Sequence, residues 1–343
     1  MRKRILIVGS DKIYAIENYF KKYLEEEGAE IGLFTAQNYF YAYYQKSLLN
    51  KILFRASLSG IIKKINSLFK QTVEQFNPDI IWIFKGMEIT PASLKWAHGR
   101  NIKLVNYNPD NPFLFSGRGS GNSHVTNSIP LYDLHFTYNL EVKERLEKEY
   151  KAKTLFLPFG FDLNNNLFND CAQQKEILKL CFAGNPDEKR AAFIKKLARA
   201  GIPIDVYGNH WEQFINDPSV TVHVPVYGSE FWKILRRYRV QLNLMRLHNE
   251  NSHNMRSFEV PAVGGIMLAP DTPEHRMFFQ DKVDLFLFST VEECILLAQS
   301  IIGFSEMEAA KIRQNARARS LLAGYSYKER SKMVFDVFKN MAP

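Results

Sequence analysis

Arg256 and Glu259 stand three residues apart in the stretch 249–269, NENSHNMRSFEVPAVGGIMLA, and together they offer one ligand a cation and a carboxylate. The run reads as a polar loop, a short helix, a turn at Gly264-Gly265 and a buried strand over 266–269. A loop feeding a helix start gathers free backbone N–H groups and the positive end of the helix dipole, which suits a phosphate. The Arg256 guanidinium adds a planar fork that can grip two oxygens. Glu259 lies on the same helical face; it repels phosphate but accepts hydrogen bonds from paired hydroxyls such as those of a ribose. The ligand this pattern fits is a sugar-linked diphosphate. The alternative is an ordinary solvated Arg–Glu pair, worth about 0.3 kcal/mol.

The elements that must position this stretch alternate between strand and helix. Residues 4–8 form a compact apolar run ending in Gly9-Ser10-Asp11, followed by a helical pattern over 13–28 with Gly28 as its stop, and a second strand over 31–34. Gly9-Ser10-Asp11 lacks the full G-x-G-x-x-G signature, which argues against an N-terminal NAD site. Further strands are expected at 78–84, 102–106, 134–138 and 154–160, with helices from Pro91 and over 140–150. The loop YNPDNPF at 107–113 sits at a strand's carboxyl end, where Asp110 either touches a substrate hydroxyl or caps the turn. The glycine-rich 116–122 follows it, with Arg118 and His124 as weaker candidates. The polar run 162–174 reads as a linker. Beyond it the pattern restarts with strands at 178–183, 204–207, 220–224 and 240–244, separated by helices, and a turn at 184–187 leading into a basic helix with Lys189 and Arg190. The last helices cover 305–322 and 328–341.

At 343 residues, 46% apolar and 24% charged, the chain has the length and composition of two globular domains. No segment approaches the about 20 apolar residues of a membrane helix, and the apolar run after MRKR stops too early for a signal peptide, so a cytoplasmic protein is expected. The three cysteines, Cys171, Cys181 and Cys294, are far apart and lack metal-ligand spacing; they are expected to be reduced and structural. Lys and Arg outnumber Asp and Glu by 45 to 36, a net charge of +9, which points to an anionic partner. From Tyr39 to Lys70 the chain carries Lys46, Lys51, Arg55, Lys63, Lys64 and Lys70 and no acidic residue, interleaved with aromatic and aliphatic side chains. Such a stretch either docks on anionic lipid at the inner membrane face or forms amphipathic helices packed on the sheet.

The segments CFAGNPDEKR at 181–190, DVYGNHW at 205–211, QLNL at 241–244 and above all NMRSFEVPAVGG at 254–265 resemble the CgeB-like, group 1 type glycosyltransferases. The first half is similar more loosely, through YNPDNPF and the PFGFD segment at 158–162. The resemblance implies an α/β chain of GT-B architecture, two Rossmann-like domains facing across a cleft. These are 1–160 on the acceptor side, with a C-terminal helix of about 325–343 packing back on it, and 175–324 on the donor side. It further implies that Glu259 holds the donor ribose, while Arg256 and the chain at His253, Asn254, Met255 and Ser257 hold the diphosphate. Gly184 and Asn185 would border the phosphates, with Arg190 as a second cation, and the base would lie near Tyr207, Gly208 and Val226. The related retaining enzymes carry a further glutamate eight positions before Glu259; here that position is Asn251, with Glu250 one residue out of register.

The activity so implied moves a sugar from a UDP- or GDP-linked donor to a glycan, lipid-linked or protein acceptor. Arginines and helix-end N–H groups would stabilise the departing diphosphate, and no D-x-D motif is present to hold a metal. Catalytic candidates are Arg256, Arg190 and, for an inverting course, Asp110 as base. Three other functions share some of these features. They are a nucleotide-sugar epimerase, a non-catalytic GT-B module binding a glycan or partner, and a nucleic-acid-binding role that would use the basic stretch Lys46–Lys70; of the partners, nucleic acid is not the expected one.

Overall fold

The computed structural model describes residues 2–114, 121–246 and 249–341. The chain divides into two compact units, 1–158 with 327–343, and 159–326. Each is built on a six-stranded parallel sheet with helices between the strands, the two Rossmann-like halves of the GT-B architecture.

The first sheet contains β1 (Arg4–Val8), β2 (Glu30–Phe34), β3 (Ile80–Phe84), β4 (Lys103–Asn108), β5 (Leu134–Thr137) and β6 (Thr154–Phe156), in the order β2-β1-β3-β4-β5-β6. Its inner strands are buried along nearly their whole length because helices cover both faces, which explains continuous runs such as IIWIF in place of alternation. Local chemistry sets the helix starts: Thr90 accepts from Ser93 N–H ahead of Pro91, and Asn139 accepts from Val142 N–H. The C-terminal helix Tyr327–Asn340 belongs to this unit. Tyr327 stacks on Tyr19 and meets Phe20 edge-on, while Phe338 meets Trp82, so an aromatic cluster joins that helix to helix Ile16–Glu26 and the sheet.

The basic stretch forms three helices, Ala36–Lys46, Leu48–Arg55 and Ile61–Phe76. The third buries Ile61, Ile65, Phe69 and Val73 against Leu6, Val8 and Phe34. Among the described residues no helix is long and apolar enough to cross a membrane.

The second sheet contains β7 (Ile177–Ala183), β8 (Ile204–Tyr207), β9 (Val220–His223), β10 (Tyr238–Leu242), β11 (Met267–Pro270) and β12 (Phe286–Phe288), in the order β12-β11-β10-β7-β8-β9. Three features of this unit differ from what the sequence pattern suggests. The polar run expected as a linker contains helix Asn165–Ala172, capped by Asn164, with Cys171 buried and Phe168 lying against the Arg317 guanidinium at 3.4 Å. A few apolar residues at helical spacing suffice when the rest of the face is solvated. No full helix separates β8 from β9; a single 3₁₀ turn at Trp211–Gln213 suffices because the buried Trp211 indole anchors it. Beyond the strands expected from the sequence lie β12 and helix Val291–Ile302, whose Cys294, Ala298 and Ile301 are core residues.

Candidate functional site

In the second sheet the chain leaves β7 toward β8 on one side and returns through β10 on the other, so the loops after β7 and β10 diverge. That is the topological switch point, where α/β sheets bind ligands beyond the carboxyl ends of their strands. Asp187 caps helix Glu188–Arg199 through Arg190 N–H at 2.9 Å and so places the Arg190 side chain between the two loops. Its guanidinium donates to the carbonyls of Asn185 at 3.1 Å and Leu244 at 2.7 Å, and the residue is 8% exposed. Arg190 therefore ties the two loops together. Burial pushes its pKa down to about 10, with the Arg246 charge adding to the effect, Asp187 opposing it and Arg256 adding again.

The charges of Arg246 and Arg256 are thus both felt at Arg190. Arg246 is not among the residues that the sequence pattern singles out. Its only signal was a cation four residues past the end of a core strand. It is exposed, and among the described residues its side chain enters no ion pair. Cations that repel one another in this way are relieved by an anion.

Gly184 and Asn185 border this point. The Trp211 indole donates to Gly184 O at 2.8 Å, Asn209 N–H donates to Asn185 Oδ1 at 2.9 Å, and a Cβ at Gly208 would fall 2.4 Å from Gly184 O. Only glycine at 208 lets the two loops approach so closely.

Helix Arg256–Ala262 begins beside them. The Arg256 Nε donates to Ala183 O at 3.2 Å, its Nη1 is paired with Glu259, and its guanidinium lies 4.2 Å from the Phe231 ring centre. Glu259 is only 6% exposed, so this is no solvated surface pair. Burial raises the Glu259 pKa against the opposing pull of Arg256. Among the described residues Arg256 Nη2 and Glu259 Oε1 have no hydrogen-bond partner, and neither do the backbone N–H groups of Met255 and Arg256. The pair therefore leaves one donor and one acceptor available.

The approach to this helix is held from below. Asn254 donates to Asn243 Oδ1 at 2.7 Å, and Asn254 N–H donates to Ser257 Oγ at 3.1 Å. Ser257 in turn bonds the His275 ring at 2.8 Å. Burial lowers the His275 pKa to about 4, so it is neutral at physiological pH. The His253 ring is fully buried between Glu274 and the Phe159 N–H, so at this position only the main chain can face a ligand.

Tyr207 and Val226 meet in a small cluster with Cys181 and Tyr238. The Tyr207 ring stacks on His223 with centres 4.4 Å apart, and its hydroxyl bonds that of Tyr238 at 2.8 Å. Tyr238 donates to Asp205, whose carboxylate also meets Lys179 and His223. Burial opposes the Asp205 charge, but these partners outweigh it and hold the carboxyl below its usual range. Glu250 pairs with Lys189 at 2.8 Å on the surface.

In the first unit Asp110 bonds the Lys85 ammonium at 2.5 Å. Its own N–H donates to Asn108 Oδ1, and Phe113 N–H donates to Asn111 Oδ1, so the asparagines cap the turn. His124 Nδ1 lies 2.9 Å from Met87 O, and Arg118 falls outside the described residues. At the switch point of this sheet, between β1 and β3, are two buried carboxyls the sequence reading passed over, Glu17 and Glu88. Burial pushes both up to about 7.

Two parallel Rossmann-like units and an arginine-lined switch point define the class: the fold is GT-B. Residues 189–336 match the family described as "Glycosyl transferase-like", and together with the fold this supports a glycosyltransferase of the GT-B type. The chain is similar to the sucrose-phosphate synthase of Thermosynechococcus elongatus, with a TM-score of 0.69, 12% identity and 98% of both chains covered. HepE from Anabaena, solved with UDP-glucose, aligns with a TM-score of 0.66 and 12% identity over 98% of this chain and 100% of that one. A Listeria monocytogenes structure described as a "putative UDP-N-acetylglucosamine 2-epimerase" aligns with a TM-score of 0.59 and 12% identity over 99% of this chain and 96% of that one. No curated protein matches the sequence.

Proposed function

We propose that the chain transfers a sugar from a nucleotide-diphosphate donor, UDP- or GDP-linked, to a hydroxyl-bearing glycan, lipid-linked or protein acceptor in surface polysaccharide or glycoconjugate synthesis. Within the GT-B glycosyltransferases, the segment NMRSFEVPAVGG favours the CgeB-like group. The observation that carries the reading is the open donor and acceptor left by the buried Arg256–Glu259 pair, near Arg190 and Arg246. Glu259 Oε1 would accept from the ribose hydroxyls. Arg256 Nη2, Arg246 and the N–H groups of Met255 and Arg256 would hold the diphosphate and stabilise the charge that develops as the glycosidic bond breaks. Arg190 acts as a positioning residue, fixing the Asn185 and Leu244 loops around that charge. The nucleotide base would rest by Gly208 and the cluster of Tyr207 and Val226. For an inverting course, Asp110 in the first unit is the candidate base, exchanging its Lys85 contact for an acceptor hydroxyl.

The test is calorimetric titration of UDP, GDP, CDP and TDP, and of the corresponding monophosphates, into wild type, Glu259→Gln and Arg246→Ala. One nucleotide binds the wild type. Glu259→Gln weakens it by about 10- to 100-fold, the value of hydrogen bonds to a charged acceptor, and Arg246→Ala weakens the diphosphate more than the monophosphate. Equal affinity in all three proteins, or no binding to wild type, refutes the site.

A further inference from the structure

Helix Leu48–Arg55 buries none of its residues, and at eight residues it is too short to persist on its own. It is held from one side. Phe54 meets Phe40 at 4.8 Å and Tyr44 at 5.8 Å between ring centres, and Asn50 donates to Tyr43 O at 2.8 Å. The opposite side presents Leu48, Leu49 and Ile52, spaced i, i+1 and i+4, at 71%, 63% and 52% exposure. The helix ends with Leu58 N–H bonded to Leu53 O and Ser57 N–H bonded to Phe54 O, Ser57 taking a φ of 58°. This is a Schellman stop made without glycine, and it leaves Leu58 74% exposed.

Charge completes the pattern. The chain has no acidic residue from Ile31 to Val73. Lys46, Arg55, Lys63 and Lys64 are exposed and Lys51 is half-buried, and among the described residues none of them enters an ion pair. The acidic residues that flank this stretch in the sequence are already paired, Glu30 with Arg4 and Glu74 with Arg100. A polyanion such as nucleic acid would need the cations but not the aliphatic face. A neutral apolar partner would need the face but not the cations.

We propose that helix Leu48–Arg55 and its flanking turn are a docking surface for an anionic lipid bilayer. Leu48, Leu49, Ile52 and Leu58 enter the acyl boundary, and the lysines and Arg55 lie among the headgroups. The inference is independent of the donor site, since it uses only the first unit.

The experiment is flotation of the full chain with vesicles of phosphatidylcholine alone and of phosphatidylcholine with phosphatidylglycerol. It compares wild type, Leu49→Ser/Ile52→Ser and Lys51→Gln/Arg55→Gln, with sedimentation velocity on the same proteins. All four positions are at or near the surface, and circular dichroism checks that each variant folds. Wild type floats with the anionic vesicles only, and both variants lose binding. Each cation near an anionic surface adds about fivefold to partition, so the charge variant loses about 25-fold. Failure to float, floating unaffected in either variant, or a self-association in solution that Leu49→Ser/Ile52→Ser abolishes overturns the proposal.

Discussion

Replacing Glu17 by Gln should make the first unit more stable at alkaline pH and leave it unchanged at acid pH relative to wild type, apart from a constant offset. Glu17 Oε1 accepts the Ser10 N–H at 2.9 Å, and the carboxyl is pressed against Gly9, where a Cβ would overlap it. Burial raises its pKa from 4.5 to about 7, with the N–H groups of Glu17 and Ser10 opposing. A carboxyl raised in the folded state binds a proton there that the unfolded chain does not hold. Its contribution is therefore fully present below about pH 4.5 and is lost as pH rises through about 7. The gap between those two values corresponds to about 3 kcal/mol. The amide keeps the shape and the acceptor, and any cost of its added N–H donors does not vary with pH. The stability difference between Glu17→Gln and wild type should thus move by about 3 kcal/mol in favour of the variant between about pH 4.5 and pH 8, or about 5–10 °C in melting temperature. Calorimetric melting across that range reads it directly. A difference that stays constant with pH refutes the assignment of a costly buried charge at Glu17.

Two further substitutions test how the site is built. Arg190→Met leaves the carbonyls of Asn185 and Leu244 without their donors. It should lower the stability of the second unit in urea by about 2–3 kcal/mol and weaken nucleotide binding, whereas an arginine that only met phosphate would weaken binding with stability unchanged. Gly208→Ala puts a methyl 2.4 Å from Gly184 O and 2.9 Å from the Trp211 Nε1, so the indole bond must break. A loss of about 1–3 kcal/mol, with a change in tryptophan fluorescence, is expected, and a variant with wild-type fluorescence and melting contradicts the close approach.

The amino-acid order alone dictates the alternation of strands and helices, because strands buried on both faces must be apolar throughout: Ile80–Phe84 and Met267–Pro270 are legible as short uninterrupted runs. It also dictates where several helices start, since a cap needs only its neighbours: Asn139, Asp187 and Ser305 act on N–H groups three residues ahead. Arg256 and Glu259 could be singled out for the same reason, both lying within one turn of one helix. What the sequence could not reveal depends on residues far apart in the chain. Arg190 reaches the carbonyl of Leu244, fifty-four positions away, and so became a clamp. Arg246 gained its interest only when β7 and β10 came to lie side by side and brought it to the other two arginines. Glu17 and Glu88 resemble surface glutamates until the first sheet closes over them and removes their water. Hydrophobic pattern and capping are local forces and can be read in order along the chain. Desolvation and the mutual repulsion of charges arise only between neighbours that the tertiary fold creates.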